Sequence, residues 1–291
     1  MSRIAGIALL AVLLAGCGST TESSLEDAAE STAADTSRVQ MRYSVPATET
    51  EKGYKADASG LFDYPGERAI LTTSESVSLY GEGVELTETR LIGRAAYWRW
   101  VVRGKTHWMK QDPVVRSGDP SELLMPGPGT PTKPTDVLTR VLLASDEHEK
   151  LGKEDVRGEE TTHYRARVNL AKLVRQLPAG ERPQGDVSGF WGASEVPVDI
   201  WIDGESRLRR LEITRPRTEE NAGLAATLEL YDYGVEVDVQ PPPEDELISQ
   251  DEFEELVGSL LTSDDGGFLE VCEGDPNPKE PGRACPEEMT P

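Results

Sequence analysis

Alternation of apolar and polar residues over 196–214 constrains this chain more than any other feature. In VPVDIWIDGESRLRRLEIT, Val196, Val198, Ile200 and Ile202 share one side, and Asp203-Gly204 opens a turn. Leu211 and Ile213 continue the apolar side on the return. A period of two marks a strand with one face buried, because successive side chains point to opposite faces. Two such runs joined by Asp-Gly form a hairpin. The pattern recurs from about Gln40 to Met109. YKADASGLF sets Tyr54, Ala56, Ala58, Gly60 and Phe62 on one face, and DYPGE turns on Pro65-Gly66. AILTTSESVSLYG and GVELTETRLIG follow. AYWRWVVRGKTHWMK then alternates Trp98, Trp100 and Val102 with Tyr97, Arg99 and Val101, and turns at Arg103-Gly104-Lys105. Strands this close along the chain imply an antiparallel meander. LAATLELYDYGVEVDV adds a strand with Leu224, Ala226, Leu228 and Leu230 inward.

Helical segments interrupt the strands. Residues 111–134 form a long Pro/Gly loop around a helical turn at DPSELL, and loops of that length are functional or disordered. TDVLTRVLLAS reads as a helix capped by Thr135, with Val137, Leu138, Val141 and Leu142 on its stripe. His148 falls in a charged loop. TTHYRARVNL is a strand with Tyr164, Ala166, Val168 and Leu170 on one face and His163, Arg165, Arg167 and Asn169 on the other. NLAKLVRQL is a helix capped by Asn169, and residues 178–195 read as a loop. Pro241 to Pro243 end the stranded domain. SQDEFEELVGSLL is a last helix, with a capping box of Ser249 and Glu252 and with Phe253, Leu256, Val257 and Leu260 facing the core.

The N-terminus is a different kind of segment. Met1-Ser2-Arg3 precedes a short apolar run, Ile4 to Leu14, broken by Gly6. That is a secretory leader, shorter than the roughly 20 apolar residues of a spanning helix. Leu14-Ala15-Gly16-Cys17 looks like a bacterial lipobox, in which the chain is cut before the cysteine and Cys17 then carries acyl chains. Two or three chains anchor stably, whereas one is marginal. The bland alternative is an ordinary leader with an incidental cysteine. The other cysteines, Cys272 and Cys285, flank EGDPNPKEPGRA. In an exported protein a disulfide closing that loop is the simplest reading. A metal site is the alternative, a poor one with two thiols and no histidine nearby.

The expected organisation is a leader at 1–16 and a lipidated Cys17 with a flexible tether at 17–37. A domain follows at 38–262, then an acidic Pro/Gly-rich tail at 263–291. A helix from about Glu26 to Asp35 is an alternative within the tether.

Charge opposes nucleic-acid binding and broad electrostatic docking on anionic lipid heads. The chain has 53 acidic and 30 basic residues, net −23, and loss of the leader removes only Arg3, leaving 53 against 29, or −24. Nucleic-acid binding needs a basic footprint, and docking on anionic lipid heads needs Lys/Arg clusters. Such a charge keeps an exported domain soluble. The common catalytic motifs are missing: no H-E-x-x-H, no G-x-S-x-G and no G-x-x-x-x-G-K-[ST]. SDDGG at 263–267 lacks the spaced ligands of a calcium loop. No metal, cofactor or catalytic residue is assigned, and His107, His148 and His163 read as surface residues. The expectation is a non-enzyme.

The segments GKEDVRGEETTHYRARVNLAKL and VPVDIWIDGESRLRRLEI, with DPSELL ahead of the helix, resemble the LppX/LprG-type lipoprotein family of actinobacteria. That family is similar in fold to the LolA and LolB lipoprotein carriers, and the resemblance covers about residues 40–240. It implies an α+β fold: a strongly curved antiparallel half-barrel with helices on its concave side, holding acyl chains between them. The expected protein is a membrane-anchored, extracytoplasmic monomer at the cell membrane, carrying a hydrophobic ligand such as an acyl lipid or glycolipid. Val168, Val198, Ile200 and Leu228 are the candidates for the ligand-facing side, and they read equally as plain core. Small Ala56, Ala58 and Gly60 leave room on that face. The alternative is an envelope interaction or sensor lipoprotein whose sheet is a scaffold for a protein partner.

Overall fold

A computed structural model describes residues 23–46, 54–77, 83–111, 134–177, 187–215 and 223–261, with isolated positions between them. Cys17, Cys272, Cys285 and DPSELL apart from Leu124 lie outside the described residues.

Twelve strands form one open sheet. In chain order they are β1 (Thr36–Val45), β2 (Tyr54–Asp63), β3 (Arg68–Val77), β4 (Val84–Ile92), β5 (Ala95–Val102), β6 (Lys105–Gln111), β7 (Ser145–Val156), β8 (Glu159–Asn169), β9 (Glu195–Asp203), β10 (Leu208–Arg215), β11 (Leu224–Tyr231) and β12 (Leu247–Ile248). Their spatial order is β12-β6-β5-β4-β3-β2-β1-β11-β10-β9-β8-β7. Every pairing is antiparallel except that of β12 with β6. The sheet is curved, with helices α1 (Ser23–Ala33), α2 (Pro134–Leu143), α3 (Leu170–Gln176), α4 (Ser188–Trp191) and α5 (Gln250–Leu261). This is the α+β half-barrel that the resemblance implied.

Local chemistry places the turns. At the β5–β6 and β7–β8 junctions Arg103-Gly104 and Arg157-Gly158 both have positive φ, as a two-residue hairpin that matches strand twist requires. At β9–β10 the Asp203 carboxylate accepts hydrogen bonds from the backbone N–H groups of Glu205 and Arg207, both at 2.9 Å. Asn169 caps α3, its Oδ1 accepting from the Lys172 N–H at 2.8 Å. The capping box before α5 forms: Ser249 N–H donates to Glu252 Oε2 at 2.7 Å, and Glu252 N–H donates to Ser249 Oγ at 3.2 Å.

The core lies on the concave face. Val196, Val198, Ile200 and Ile202 of β9, Leu211 and Ile213 of β10, and Leu224, Ala226, Leu228 and Leu230 of β11 are all buried there, as the alternation requires. So are Val137, Leu138, Val141 and Leu142, the stripe of α2, and Leu124 joins the same cluster.

Several readings need correction. Residues 23–33 form α1, close to the helix given as the alternative to a tether, and Leu25, Ala28 and Ala29 pack into the core at 3% exposure or less. Ala28 and Ala29 are small enough for α1 to lie close against α2, so a helix with one leucine still buries a face. The charged loop around His148 is strand β7, at the edge of the sheet, where charge is tolerated because one side of the strand is solvated. Helix α2 begins at Pro134, so Thr135 lies inside its first turn rather than at its cap, and proline suits that first position. The loop at 178–195 contains α4, whose Trp191 is buried. Gly60 leaves no room: a Cβ there would meet the Ile70 carbonyl oxygen at 1.8 Å, so the glycine admits the β3 backbone rather than a ligand.

Pro241 to Pro243 do not end the domain. They belong to a strap that leaves β11, where Thr36 Oγ1 donates to the Val235 carbonyl at 2.6 Å, and passes β4, where Arg90 donates to the Gln240 carbonyl at 2.8 Å. It ends at β12 on the far edge of the sheet. Behind the strap Ala95, Tyr97 and Trp108 form a second, smaller apolar cluster, with the Arg90 guanidinium 4.5 Å from the Trp108 ring centre. Helix α5 then returns to the concave side, where Phe253 packs on Trp100 with ring centres 5.0 Å apart.

Candidate functional site

The concave face holds all four residues expected to meet a ligand. Val168 on β8, Val198 and Ile200 on β9, and Leu228 on β11 have 0% exposure and belong to one cluster. Strand register explains their neighbourhood. Val198 is paired to Ala166 on β8 and to Ile213 on β10. Ile200 is paired to Tyr164 and Leu211, and Leu228 is paired to Leu211 and Met41. These rows carry apolar side chains from β8 through β9, β10 and β11 to β1, so that part of the curved face is apolar. Among the described residues no helix is long and apolar enough to cross a membrane, and no group of His, Cys, Asp and Glu has the makings of a metal site.

The convex face is the part that sequence reasoning missed. On β8 and β9 the two motif segments meet there. The His163 ring stacks on Trp201, centres 4.2 Å apart and planes within 12°. His163 Nε2 lies 2.8 Å from Asp199 Oδ1 and Nδ1 lies 2.9 Å from Glu154 Oε1. Trp201 Nε1 donates to the other Glu154 oxygen at 2.9 Å, and Arg165 Nε donates to Asp199 at 3.2 Å. The Trp201 and His163 hydrogen bonds hold the Glu154 carboxyl below its ordinary value, against a small opposing effect of desolvation. Thus His163 is no plain surface residue. It ties β7, β8 and β9 together from outside.

Beside this group the tip of the β7–β8 hairpin reaches over to β11. Arg157 Nε donates to Glu229 Oε2 at 2.7 Å, and its guanidinium lies 4.0 Å over the Tyr231 ring. Arg210 Nη2 donates to the other Glu229 oxygen at 2.7 Å, and Arg42 stands 3.6 Å from the same oxygen. Burial alone would raise the Glu229 carboxyl, but the hydrogen bonds from Arg157 and Arg210 outweigh it and hold the group below its ordinary value. Asp203 repeats the arrangement at the β9–β10 turn. Burial pushes its carboxyl up, and hydrogen bonds from the Arg207 N–H and the Arg209 guanidinium bring it below the usual range.

Between these two anchored carboxylates opens a cleft of about 520 Å³, lined by Arg157, Glu159, Arg207, Arg209, Tyr231, Asp232 and Tyr233. A β-bulge between Leu208 and Arg210 turns Arg209 toward it. The Tyr233 ring lies under Arg207 and Arg209, at 4.6 and 5.1 Å. Its hydroxyl donates to the Leu208 carbonyl, and burial drives its acidity down, so it stays a neutral donor. No local pattern signals this cleft. Arg157 and Glu229 are 72 residues apart, and a run such as RLRR reads equally as a solvated strand face.

No protein-family model matches the chain. An uncharacterised 31.2 kDa protein of Streptomyces griseus is 31% identical over 107 residues, a match that spans 35% of this chain and about a third, 34%, of that protein. Among solved structures the chain is similar to LprF from Mycobacterium bovis, at 15% identity and a TM-score of 0.45, covering 76% of this chain and 96% of that one. It is also similar to the lipoprotein LppX of Mycobacterium tuberculosis, at 14% identity and a TM-score of 0.39, covering 75% and 97%. A third is a LolA superfamily protein of Nitrosomonas europaea, at 12% identity and a TM-score of 0.28, covering 78% and 97%.

Proposed function

We propose that this is an extracytoplasmic lipoprotein, held at the cell membrane by acylated Cys17, that binds or carries a hydrophobic ligand such as an acyl lipid on the concave face of its sheet. The observation that supports the reading most directly is the lining of that face. The concave face of one open, curved sheet is apolar from β8 through β1, and the helices packed with it are short, from 4 residues in α4 to 12 in α5. An acyl chain slipping between sheet and helices exchanges one set of apolar contacts for another, so its entry costs little beyond the ordering of the chain. The position of α1 bears on the anchor. Since α1 begins at Ser23, only residues 18–22 separate it from Cys17, a reach of roughly 20 Å fully extended. The domain would therefore work close against the bilayer.

The test is to purify the full chain from a host that acylates lipoboxes, extract it with organic solvent, and analyse extract and N-terminal peptide by mass spectrometry. A stoichiometric acyl lipid and a peptide beginning at acylated Cys17 are expected. An unmodified Cys17 would overturn the anchor. Protein that carries no lipid and takes up no fluorescent fatty acid would overturn the ligand.

The complete burial of Val168, Val198, Ile200 and Leu228 favours a second reading, in which the sheet is a scaffold and an envelope protein is the partner. One stoichiometric partner, lost on deleting the acidic tail at 263–291, would support it over the first.

A further inference from the structure

We propose that the cleft at the tight-turn end of β9, β10 and β11 is a binding site for a phosphate ester, separate from the concave face. Three guanidiniums line it, those of Arg157, Arg207 and Arg209. Each is fixed along one edge by a carboxylate that is itself out of solvent. Arg157 Nε is held by Glu229, and Arg207 Nε and Arg209 Nε are held by Asp203, at 2.7, 3.1 and 2.7 Å. Both acids have side chains only 5% exposed. Each guanidinium also lies on a tyrosine face. The three planes are thus oriented before any ligand arrives, and the ordering cost of a binding site is already met.

The outer edges of the same groups are held differently: Arg157 Nη2 donates to the neutral side chain of Gln40, and the other two meet exposed acids. Arg209 Nη2 is 3.9 Å from Glu159, whose side chain is 58% exposed, and Arg207 Nη2 meets Glu205, which is 70% exposed. Asp232 turns away to Arg38, at 3.2 Å. So the protected part of the cleft sets three positive charges against two negative ones, and the remaining acids are exposed surface groups. An oxyanion with several acceptor oxygens can displace Glu159 and Glu205 and take their hydrogen bonds. Planar guanidiniums match a phosphate group in two-pronged contacts. A cleft of about 520 Å³ has room for the rest of a small polar ester beside its phosphate.

The turns set these side chains in place. Among the described residues five non-glycine residues have left-handed backbone; Arg157 (φ 57°) and Asp232 (φ 49°) line this cleft, and Ser206 (φ 59°) precedes Arg207 in its turn. Such positions favour Gly or Asn. At the tip of the β7–β8 hairpin an arginine takes that position, and its side chain is what the cleft gains.

The experiment uses the full soluble chain without its leader. Inorganic phosphate and glycerol 3-phosphate are titrated calorimetrically, and the chain is floated with vesicles of phosphatidylglycerol and of phosphatidylcholine. Millimolar or tighter binding of a soluble phosphate is expected, or retention on phosphatidylglycerol vesicles where the phosphate belongs to a lipid head. Arg157→Gln should weaken that binding about tenfold, as loss of one charge-assisted pair does. Glu159→Gln, an exposed change that leaves the fold alone, should tighten it, because it removes the competing carboxylate. Failure to bind phosphate in either form overturns the proposal. Binding that Arg157→Gln leaves unchanged overturns it as well, and so does weaker or equal binding by Glu159→Gln.

Discussion

Leu228 and Glu229 are consecutive on β11 and equally hidden, at 0% and 4% exposure, yet they are buried for opposite reasons. Leu228 points into the concave cluster, where neighbours of the same kind surround it and any apolar side chain of similar volume would serve. Glu229 points to the convex face, where two arginines from β10 and from the β7–β8 tip close over a charge that is costly to bury alone. One face is held by a non-directional force spread over many residues. The other depends on a few directed bonds among distant partners. The lesson is that the two faces should fail differently.

The largest effect belongs to the concave side. Leu228→Ala removes about three methylene equivalents from a site with no exposed surface, and such changes cost about 2–5 kcal/mol. Urea unfolding should show a lower midpoint with an unchanged slope, because the unfolded chain is nearly the same. A loss under about 1 kcal/mol would mean that the face around Leu228 is loosely packed, which would itself favour a ligand cavity there.

Glu229→Gln comes next, at about 1–3 kcal/mol. The amide keeps the volume but leaves Arg157 and Arg210 without their charged acceptor. Arg157→Met in the same background should cost less than it does in the wild type, since its partner has already gone. Additive losses would show that Arg157 and Glu229 do not act as a pair.

Acid should separate the two faces without mutation. The folded-state value of Glu229 lies below its ordinary 4.5, so the carboxylate contributes its full stability above 4.5 and loses it as pH falls through the depressed folded value. Asp203 behaves in the same sense from its ordinary 3.8. Stability measured from about pH 5 to pH 3 should therefore fall more steeply in the wild type than in Glu229→Gln, while Leu228→Ala should run parallel to the wild type. Equal slopes in wild type and Glu229→Gln would contradict the paired carboxylate.

The same contrast decides what was legible in the sequence. Alternation in β9, β10 and β11 identifies the concave face residue by residue, because burial of one face is written at period two. Val168, Val198, Ile200 and Leu228 are on that face for that reason. Strand β7 is not legible in this way: SDEHEKLGKEDV has two large apolar residues, Leu151 and Val156, and becomes a strand through its ladder to β8. The convex groups are less legible still. His163 and Asp199 stand 36 residues apart, and only the register of β8 on β9 brings the first onto Trp201 and the second within reach. The strap is hidden by its own prolines, which read as a boundary although they suit an extended crossing of the sheet.

The smallest expected effect marks where the convex network stops. Arg38 and Asp232 pair at 3.2 Å on the rim of the cleft, with side chains 48% and 63% exposed. In water such a pair gains little from Coulomb attraction and orders two side chains to obtain it, so measured values are about 0–1 kcal/mol. Arg38→Ala should therefore shift the unfolding midpoint by less than about 0.5 kcal/mol, and added salt should erase what shift there is. The distance is only about half an ångström longer than that of Arg157 to Glu229. What differs is solvent: Glu229 has been taken out of water and must keep its arginines, while Asp232 has not. A loss for Arg38→Ala as large as that for Glu229→Gln would show that the rim pair is part of the buried network. The cleft would then be held shut on that side, and a ligand would have to break a strong pair to enter.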